Sequence, residues 1–544
     1  MVVSTTKQLE DTYLLWHRFS FSSDSRSWDA VAVPSWVGNK LNSAFSIIIS
    51  LALVQFWTIV LSLILYVALK RYQNDASRLD PLAVTLWNKK GDLVDSLREM
   101  IGFDNKDWTR PWLLIAITIS ISAGVAKTAI TVLVAPLIIL NHAAPVNPAA
   151  VYAPDNSQNA SAVQAARFAL EVPRFFRALG SAVVDSEIRK KVQISSATLL
   201  GQRENGEEIL RVNYSYGATG ADFGIQKYFD LQFNVTGSCF TEYGWYNGTG
   251  EDTNGIPVDV YVTPFRGPQP ESSLLDGVQP SAKFYLGDTL IPGELKESNS
   301  TWGAVVSSVG RKSFSIGTDP WYLTTPSADS TDANNVVTYG RPGLSCWQDD
   351  VWSYHGQKSS TVDLAQLPGL NLSNTTLGML SQYLGTPVVQ AAGFQLQTSA
   401  LMSSTTSLDQ IFDAGISSFH DDLERLLLTA YVATINCLTD TTLYPPEADR
   451  SVPNAAVGNF GVVPDDVDYV VWSPQIATLS TLVIIIIPTI LVGTWLLAII
   501  LIYFTPVGVV AILDSSSLQA GEKESRPNAS VAGDIEGAKQ PEKQ

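Results

Sequence analysis

Long uncharged apolar segments are the strongest pattern along this chain. Phe45–Leu69 contains 25 residues without a formal charge, which as a helix would measure roughly 37 Å against a hydrocarbon core of about 30 Å. Trp112–Leu140 is interrupted only by Lys127, and residues 473–504 carry no formal charge. Because a bilayer offers no water to unpaired amides, each segment is predicted to cross the membrane as a helix. The predicted fold class is a multi-pass membrane protein with three transmembrane α-helices and a large α+β extracytoplasmic domain that has a β-rich body.

Basic residues on either side of the first segment predict the orientation of the chain. Residues 1–42 contain four Lys or Arg, whereas residues 70–110 contain eight. Since Lys and Arg concentrate in short cytosolic loops, the second stretch is placed in the cytosol. The predicted order is an extracytoplasmic segment 1–44, a span 45–69, a cytosolic loop 70–111 with an interfacial helix, a span 112–140, an ectodomain 141–472, a span 473–504 and a disordered cytosolic tail 505–544.

Acceptor sequences for N-linked glycans support the same orientation. Such Asn-x-Ser/Thr acceptors are used only in the lumen of the secretory pathway. The predicted glycosylation sites are the seven acceptors of the large loop: Asn159, Asn213, Asn234, Asn247, Asn299, Asn371 and Asn374. An eighth acceptor, Asn528, falls in the predicted cytosolic tail and would remain unused. The expected location is therefore a membrane, with the plasma membrane as the default.

The charge balance narrows the classes of function. The chain has a net charge of −17, and residues 141–472 hold 18 basic and 35 acidic residues, so the acidic excess faces outward. This charge argues against nucleic-acid binding, which needs a basic surface. With four His and three Cys, zinc-finger and disulfide-dense scaffolds are excluded. No metal site and no cofactor are predicted, and the acidic surface is interpreted as a solubility feature.

Periodicity divides the large loop into segments. Residues 141–160 have the Pro, Ala and Asn content of a stalk, and a helix with a break or kink at Pro173 is predicted to follow. From about residue 192 to residue 362, short alternating runs bounded by Gly, Pro and Asn predict strands. Within them, Asn247-Gly248 suits a type I′ hairpin tip. After Leu370 the helical period returns, and Ser407 with Gln410 has the spacing of a capping box.

The cysteines allow a single intramolecular bridge. Cys239 and Cys346 lie in similar surroundings of the strand-rich region, and an oxidising compartment favours their pairing. Cys437, in the apolar stretch ATINCL, is then the free thiol. A Cys346–Cys437 bridge and an intermolecular bond are the alternatives that the sequence leaves open.

Residues 346–356 (CWQDDVWSYHG) have the densest chemistry in the chain. Aromatic faces beside a pair of carboxyl groups are the materials of a glycan-acting site, here Trp347 and Trp352 with Asp349 and Asp350. However, neighbouring residues of a strand point to opposite faces. The segment is therefore interpreted as an aromatic core next to a disulfide, and the catalytic residues of any enzyme remain unknown.

Lys127 is the ionisable group inside a predicted span, where charge is costly enough to suggest a role. The small residues 122–126 beside it suit close helix packing. This pattern predicts homo-oligomer formation through the second transmembrane helix, and three helices would need such an assembly to transport a solute.

The function predicted first is a non-catalytic multi-pass membrane glycoprotein whose ectodomain binds or organises a partner at the cell surface. Its expected partners are the lipid bilayer and a surface glycan or protein ligand. A membrane-tethered enzyme acting on glycans is the first alternative. The layout as a whole also resembles multi-pass surface glycoproteins of filamentous fungi, which implies the second alternative, an accessory membrane or transport component of a secreted-metabolite pathway. No individual motif carries that resemblance.

Overall fold

The computed structural model describes residues 9–23, 26–71, 98, 101, 114–115, 117–122, 124–125, 138–153, 160–251, 257–264, 272–274, 281–287, 300–327, 335–408, 411–443 and 467–504. The chain divides into two compact units. We call the first, residues 1–35 with 142–478, the body. The second, residues 36–141 with 479–544, is the apolar unit.

The helices are α1 (Ser35–Arg71), α2 (Ala160–Val184), α3 (Ser186–Lys191), α4 (Asn374–Leu384), α5 (Val388–Leu396), α6 (Phe419–Ile435) and α7 (Thr481–Phe504). The strands are β1 (Arg18–Ser23), β2 (Arg26–Pro34), β3 (Ile139–Asn141), β4 (Ala143–Pro145), β5 (Val192–Ile194), β6 (Thr198–Gln202), β7 (Glu208–Thr219), β8 (Gln232–Glu242), β9 (Tyr246–Glu251), β10 (Pro257–Tyr261), β11 (Ser272–Leu274), β12 (Ser281–Gly287), β13 (Ser300–Ser307), β14 (Lys312–Ser313), β15 (Thr324–Pro326), β16 (Asn335–Val337), β17 (Gly343–Tyr354), β18 (Gln357–Ser359), β19 (Ser407–Leu408), β20 (Ile411–Phe412), β21 (Val470–Trp472) and β22 (Ile476–Ser480).

An antiparallel sheet of eight strands forms the centre of the body. Its main order is β12-β13-β17-β8-β7-β5, and β18 and β6 extend it beside β17 and β7. One face is apolar, because alternate residues of β7, β8 and β17 are buried. Helix α6 packs on α2 and α5, and α5 packs on β12. The core therefore lies between this face of the sheet and the helices, and the protein is a mixed helix and sheet protein with a large β-rich body, as predicted.

Two helices of the structure are long and apolar enough to span a membrane, judged by length and composition. They are Ser35–Leu63, within α1, and Thr481–Leu501, within α7. Helix α1 begins ten residues before the predicted start at Phe45, because the polar residues of its first turns remain helical. The second predicted span, Trp112–Leu140, is described only in fragments, and Lys127 lies outside the described residues. Its predicted end is wrong, because Ile139 and Leu140 belong to strand β3, which pairs with β22, rather than to a helix.

The stalk predicted over residues 141–160 is wrong for its first part. Strand β4 pairs with β21, and Ala144, Val146 and Val151 are fully buried. Small apolar residues can indicate close packing as well as an extended linker, and here they fill the core. Helix α2 also runs without a break through Pro173, which lies on its exposed side, where water can replace the missing hydrogen bond.

Ser407 does not begin a helix as the predicted capping box requires, because it lies in β19; Gln410 lies outside the described residues. Residues on either side of this position form the short strands β19 and β20, and α6 begins only at Phe419. Its N-cap is Ser418, whose hydroxyl accepts a hydrogen bond from the amide of Asp421 at 3.0 Å. The apolar residues at helical spacing before Phe419 therefore belong partly to these two short strands, and the helix begins only after them.

The hairpin tip predicted at Asn247-Gly248 lies inside β9, which pairs with β10. Gly248 has a φ of 120°, a value that glycine tolerates and other residues rarely adopt. The glycine therefore permits an irregular backbone within the strand rather than a turn. A two-residue hairpin loop with positive φ at both positions occurs instead at His355 (48°) and Gly356 (80°), between β17 and β18. That is the backbone geometry of a type I′ turn.

Candidate functional site

Strand β17 separates the residues predicted for a glycan-acting site. Asp350 and Trp352 are buried on the face that meets the core, whereas Trp347 and Asp349 alternate with them and are half-buried. Trp352 contacts the rings of Phe223 and Phe233. The two carboxyl groups point to opposite faces of one sheet, so they cannot act together on one bond. The prediction that β17 places the adjacent carboxylates on opposite faces is confirmed.

A hydrogen-bonded chain surrounds the buried carboxyl group of Asp350. Gln348 donates from Nε2 to Asp350 Oδ1 at 2.8 Å, and its Oε1 accepts from the hydroxyl of Tyr214 at 2.8 Å. The same hydroxyl accepts a hydrogen bond from Trp302 Nε1 at 3.2 Å. Burial raises the pKa of Asp350 to about 7. Because every member is enclosed by the core, the arrangement stabilises the packing of the sheet rather than presenting a reactive group.

Further buried carboxyl groups hold loops against α6. Asp319 accepts hydrogen bonds from the amides of Trp321 at 2.8 Å and Phe419 at 3.1 Å. Asp422 accepts from the amide of Ser403 at 3.1 Å. Burial raises the pKa of Asp319 to about 7 and that of Asp422 to about 6. The body therefore contains several acidic groups that bind a proton more tightly in the folded chain than in the unfolded chain.

Stability is expected to depend on pH through these groups. A carboxyl group whose pKa is raised on folding stabilises the fold fully below its unfolded pKa of about 3.9, and this contribution is lost as the pH rises through the folded value. The free energy of unfolding should therefore fall between about pH 4 and pH 7, from the unfolded pKa to the folded values. Asp350→Asn should flatten this dependence by on the order of 1–3 kcal/mol in urea titrations across that range. Asp349→Asn, on the other face of β17, should follow the wild-type curve, and equal slopes for all three proteins would contradict the assignment.

The two cysteines predicted to pair lie directly opposite each other on neighbouring strands of the central sheet. Cys346 of β17 is directly opposite Cys239 of β8, and their sulfur atoms are 2.10 Å apart, the separation of a disulfide. Cys437 is buried and free. Burial raises the pKa of its thiol to about 12, so the thiol is held in its unreactive protonated form. This arrangement agrees with the first of the predicted pairings.

Five of the seven predicted glycan acceptors lie on described parts of the body, and all five side chains are exposed. Asn213 and Asn234 project from the outer face of the central sheet, on the neighbouring strands β7 and β8. The others are Asn247 on β9 and the pair Asn371 and Asn374 at the start of α4. Asn159 and Asn299 lie outside the described residues.

A group of possible metal ligands occurs in the first two turns of α6. One ligand atom each from His420, Asp421 and Glu424 lies within 4.8 Å of the others. However, His420 Nε2 is 3.0 Å from the carbonyl oxygen of Ser195, and Glu424 is 3.6 Å from Arg189 Nε. The amino end of a helix also disfavours a cation. These contacts join α6 to α3 and to the residue after β5, and we assign no metal to them.

An open groove of about 550 Å³ is lined by polar side chains between Gln357 and Gln366, with Leu367 and Pro368 at its end. Asp363 accepts hydrogen bonds inside the groove from Ser360 Oγ at 2.9 Å and Gln366 Nε2 at 3.1 Å. None of the described residues that line the groove is aromatic. The groove therefore lacks the ring on which the apolar face of a sugar would stack.

The chain enters and leaves the body at one place. Ser35, the last residue of the body before α1 continues, donates from its amide to the carbonyl of Gln475 at 2.7 Å. Ala143 donates from its amide to Thr478 Oγ1 at 2.9 Å. We call these four hydrogen-bonded residues the exit junction. Because β1, β2 and β22 also belong to one sheet, the amino-terminal hairpin is an integral part of the body rather than a separate segment.

Comparison with known proteins places the body in a family. The model of a domain of unknown function, DUF8406, matches residues 172–471, more than half of the chain. The protein therefore belongs to the DUF8406 family. The match begins inside α2 and ends inside β21, so it covers the central sheet and α6 but not the amino-terminal hairpin. No curated protein and no solved structure matches the chain.

Proposed function

We propose that this protein is a non-catalytic multi-pass membrane glycoprotein whose body lies outside the cytoplasm and binds or organises a partner at the cell surface. The observation that carries the proposal is the exit junction. Residues 9–34 and 142–478 belong to one folded body, so both must lie on the same side of any membrane. If α1 crosses a bilayer, the chain must cross again before His142, and the predicted span Trp112–Leu140 would supply that crossing.

The last apolar helix supports the same arrangement. Large side chains are exposed around most of the circumference of α7, for example Leu482, Trp495 and Ile499. A helix that is apolar on all sides needs a surrounding of lipid or protein. It follows β22 directly, so a third crossing would carry residues 505–544 to the cytosolic side.

Glycan acceptors and cysteines support an extracytoplasmic body. Acceptors that are to carry glycans must be exposed, and the five described ones are exposed. A disulfide between Cys239 and Cys346 would persist in an oxidising compartment. The strongly acidic composition of residues 141–472 suits a soluble outer surface.

The geometry favours a binding role over catalysis on glycans. The carboxyl groups of Asp349 and Asp350 are separated by the sheet, and Asp350 and Trp352 are enclosed by the core. A pair of carboxyl groups that cleaves a glycosidic bond must flank that bond within one site. The remaining alternative, a transport component built on Lys127, depends on residues outside the described part of the chain.

Glycan mapping tests the proposed side of the membrane. Partial glycosidase digestion of the full chain from its own membranes should give a ladder of bands, and Asn213→Gln and Asn234→Gln should each remove one step. Asn528→Gln, in the predicted cytosolic tail, is the matched control and should leave the ladder unchanged. An undecorated body, or a step that disappears with Asn528, would contradict the proposal.

The binding role has a separate test. A membrane-impermeant crosslinker applied to intact cells should convert the full chain into discrete species of higher mass. Loss of those species when the body is replaced by an unrelated soluble domain would identify the body as the part that associates. A chain that stays monomeric under the same treatment would refute the organising role.

A further inference from the structure

Two tryptophans are prominent on the surface of the body beside the exit junction. Trp16 is 57% exposed and Trp472 is 59% exposed. Trp16 donates from its amide to the carbonyl of Ala32 at 2.9 Å, three residues before Ser35. Trp472 lies three residues before Gln475. Both indoles are therefore held next to the points at which the chain leaves the body for α1 and α7.

The backbone holds Trp16 in an unusual conformation. Its φ is 65°, a left-handed value that costs a bulky residue about 1–2 kcal/mol. The neighbouring contacts maintain it, since Leu15 donates from its amide to Tyr13 O at 3.1 Å and Leu14 donates to Pro145 O at 2.9 Å. A strained backbone that places a large apolar ring in solvent indicates that the ring has a partner there.

Contacts with the neighbouring strands hold Trp472 in place. It is directly opposite Ala143 in the pairing of β21 with β4. Its ring meets His142 edge to face, with the ring centres 6.5 Å apart, and His142 Nδ1 lies 2.6 Å from the carbonyl oxygen of Ile476. Both tryptophans therefore project from rigid structure, and rigid structure presents a ring without further loss of conformational freedom on binding.

We infer that Trp16 and Trp472 form a seating surface that inserts into the headgroup boundary of the bilayer. Indole is amphipathic and prefers this boundary, because its ring is apolar and its N–H needs a polar partner. The continuity of the chain selects lipid as the occupant: residues 32–39 and 473–481 carry no formal charge, and each leads straight into a helix long and apolar enough to span a membrane. The inference rests on the proposed membrane attachment and adds that the body itself contacts the lipid.

Depth measurement with an attached fluorophore tests the seating surface. Trp16→Cys and Trp472→Cys are labelled separately in the full chain with a thiol-reactive fluorophore, and each protein is reconstituted in phosphatidylcholine vesicles. The native cysteines should not react, since Cys437 is buried with a raised pKa and the other two are at disulfide distance. The quencher is a phosphatidylcholine with a nitroxide at carbon 5 of its acyl chain.

Two control positions provide a label far from the proposed surface and a label in the membrane-spanning helix. Trp28→Cys labels an exposed position of β2 near the hairpin turn, roughly 20 Å along the strand from Pro34. Ile490→Cys labels the middle of α7. We expect quenching at positions 16 and 472 to be at least twofold stronger than at position 28, and position 490 to be quenched more by a nitroxide at carbon 12.

Three other quenching results would overturn the seating surface, and they differ in what they imply for the membrane attachment. Quenching at positions 16 and 472 no greater than at position 28, with position 490 still quenched, would overturn the seating surface and leave the membrane attachment intact. No quenching at position 490 would overturn the attachment as well. Protection of positions 16 and 472 from aqueous iodide without quenching by lipid would show that a protein or a second copy covers the surface, which also overturns the inference.

Discussion

Replacing Cys239 and Cys346 together by alanine is expected to lower the free energy of unfolding by about 3–5 kcal/mol. The two residues are 107 positions apart, so their bridge closes a long loop and removes many conformations from the unfolded chain. It also joins β8 to β17 at the centre of the sheet. Urea unfolding of the full chain in detergent micelles, followed by tryptophan fluorescence, measures the effect.

Two comparisons isolate the bridge from the loss of buried volume. Cys437→Ala removes a buried thiol and no bridge, and should cost about 1 kcal/mol. A reductant should lower the wild type toward the double variant, without reaching it because the buried sulfur atoms remain, and should leave that variant unchanged. A wild type that unfolds at the same urea concentration with and without reductant would show that the pair does not stabilise the body.

Trp352→Ala is expected to cost about 3–5 kcal/mol of unfolding free energy, because a large side chain would be removed from a fully enclosed site. The indole of Trp352 packs against Phe223 and Phe233, and its Nε1 donates to Thr361 Oγ1 at 3.1 Å. A cavity would remain between β17 and the core, and the hydroxyl of Thr361 would lose its donor.

The matched control is Trp347→Ala, five residues earlier on the same strand but on the other face. This variant should lower the free energy of unfolding by less than about 1 kcal/mol. The difference between the two variants then measures how much more strongly the core face of β17 is buried than its other face. Similar costs for both would contradict the arrangement of β17, and restored stability in Trp352→Phe would show that ring volume is the main contribution.

Local patterns and residue types in the sequence predicted part of the fold. The strand-rich range, the alternation that separates Asp349 from Asp350 and the candidate disulfide pair all follow from short-range spacing and residue type. The helical spacing before Phe419 misled, because apolar residues in two short strands followed by a turn can mimic one helical face. The composition of residues 141–160 misled for a related reason, since alanine and proline are common both in linkers and in tightly packed strands.

The exit junction could not be predicted from local patterns. His142 contacts a carbonyl 334 residues further along the chain, and Tyr13 forms a bridge with Val146. Periodicity identifies a strand but not its distant partner. The sequence therefore predicted a separate amino-terminal segment, whereas the pairing of these residues makes the amino-terminal hairpin part of the body.

In the proposed topology, residues 1–35 and 142–478 face the same side of the membrane, away from the cytosol. Epitope accessibility in intact cells tests it most directly, with one tag at the amino terminus, one inserted after Ala448 within the body and one at the carboxyl terminus. We expect antibodies to reach the first two tags in intact cells and the third only after permeabilisation. If the first two tags lie on opposite sides, or both are reached only after permeabilisation, the proposed arrangement is wrong.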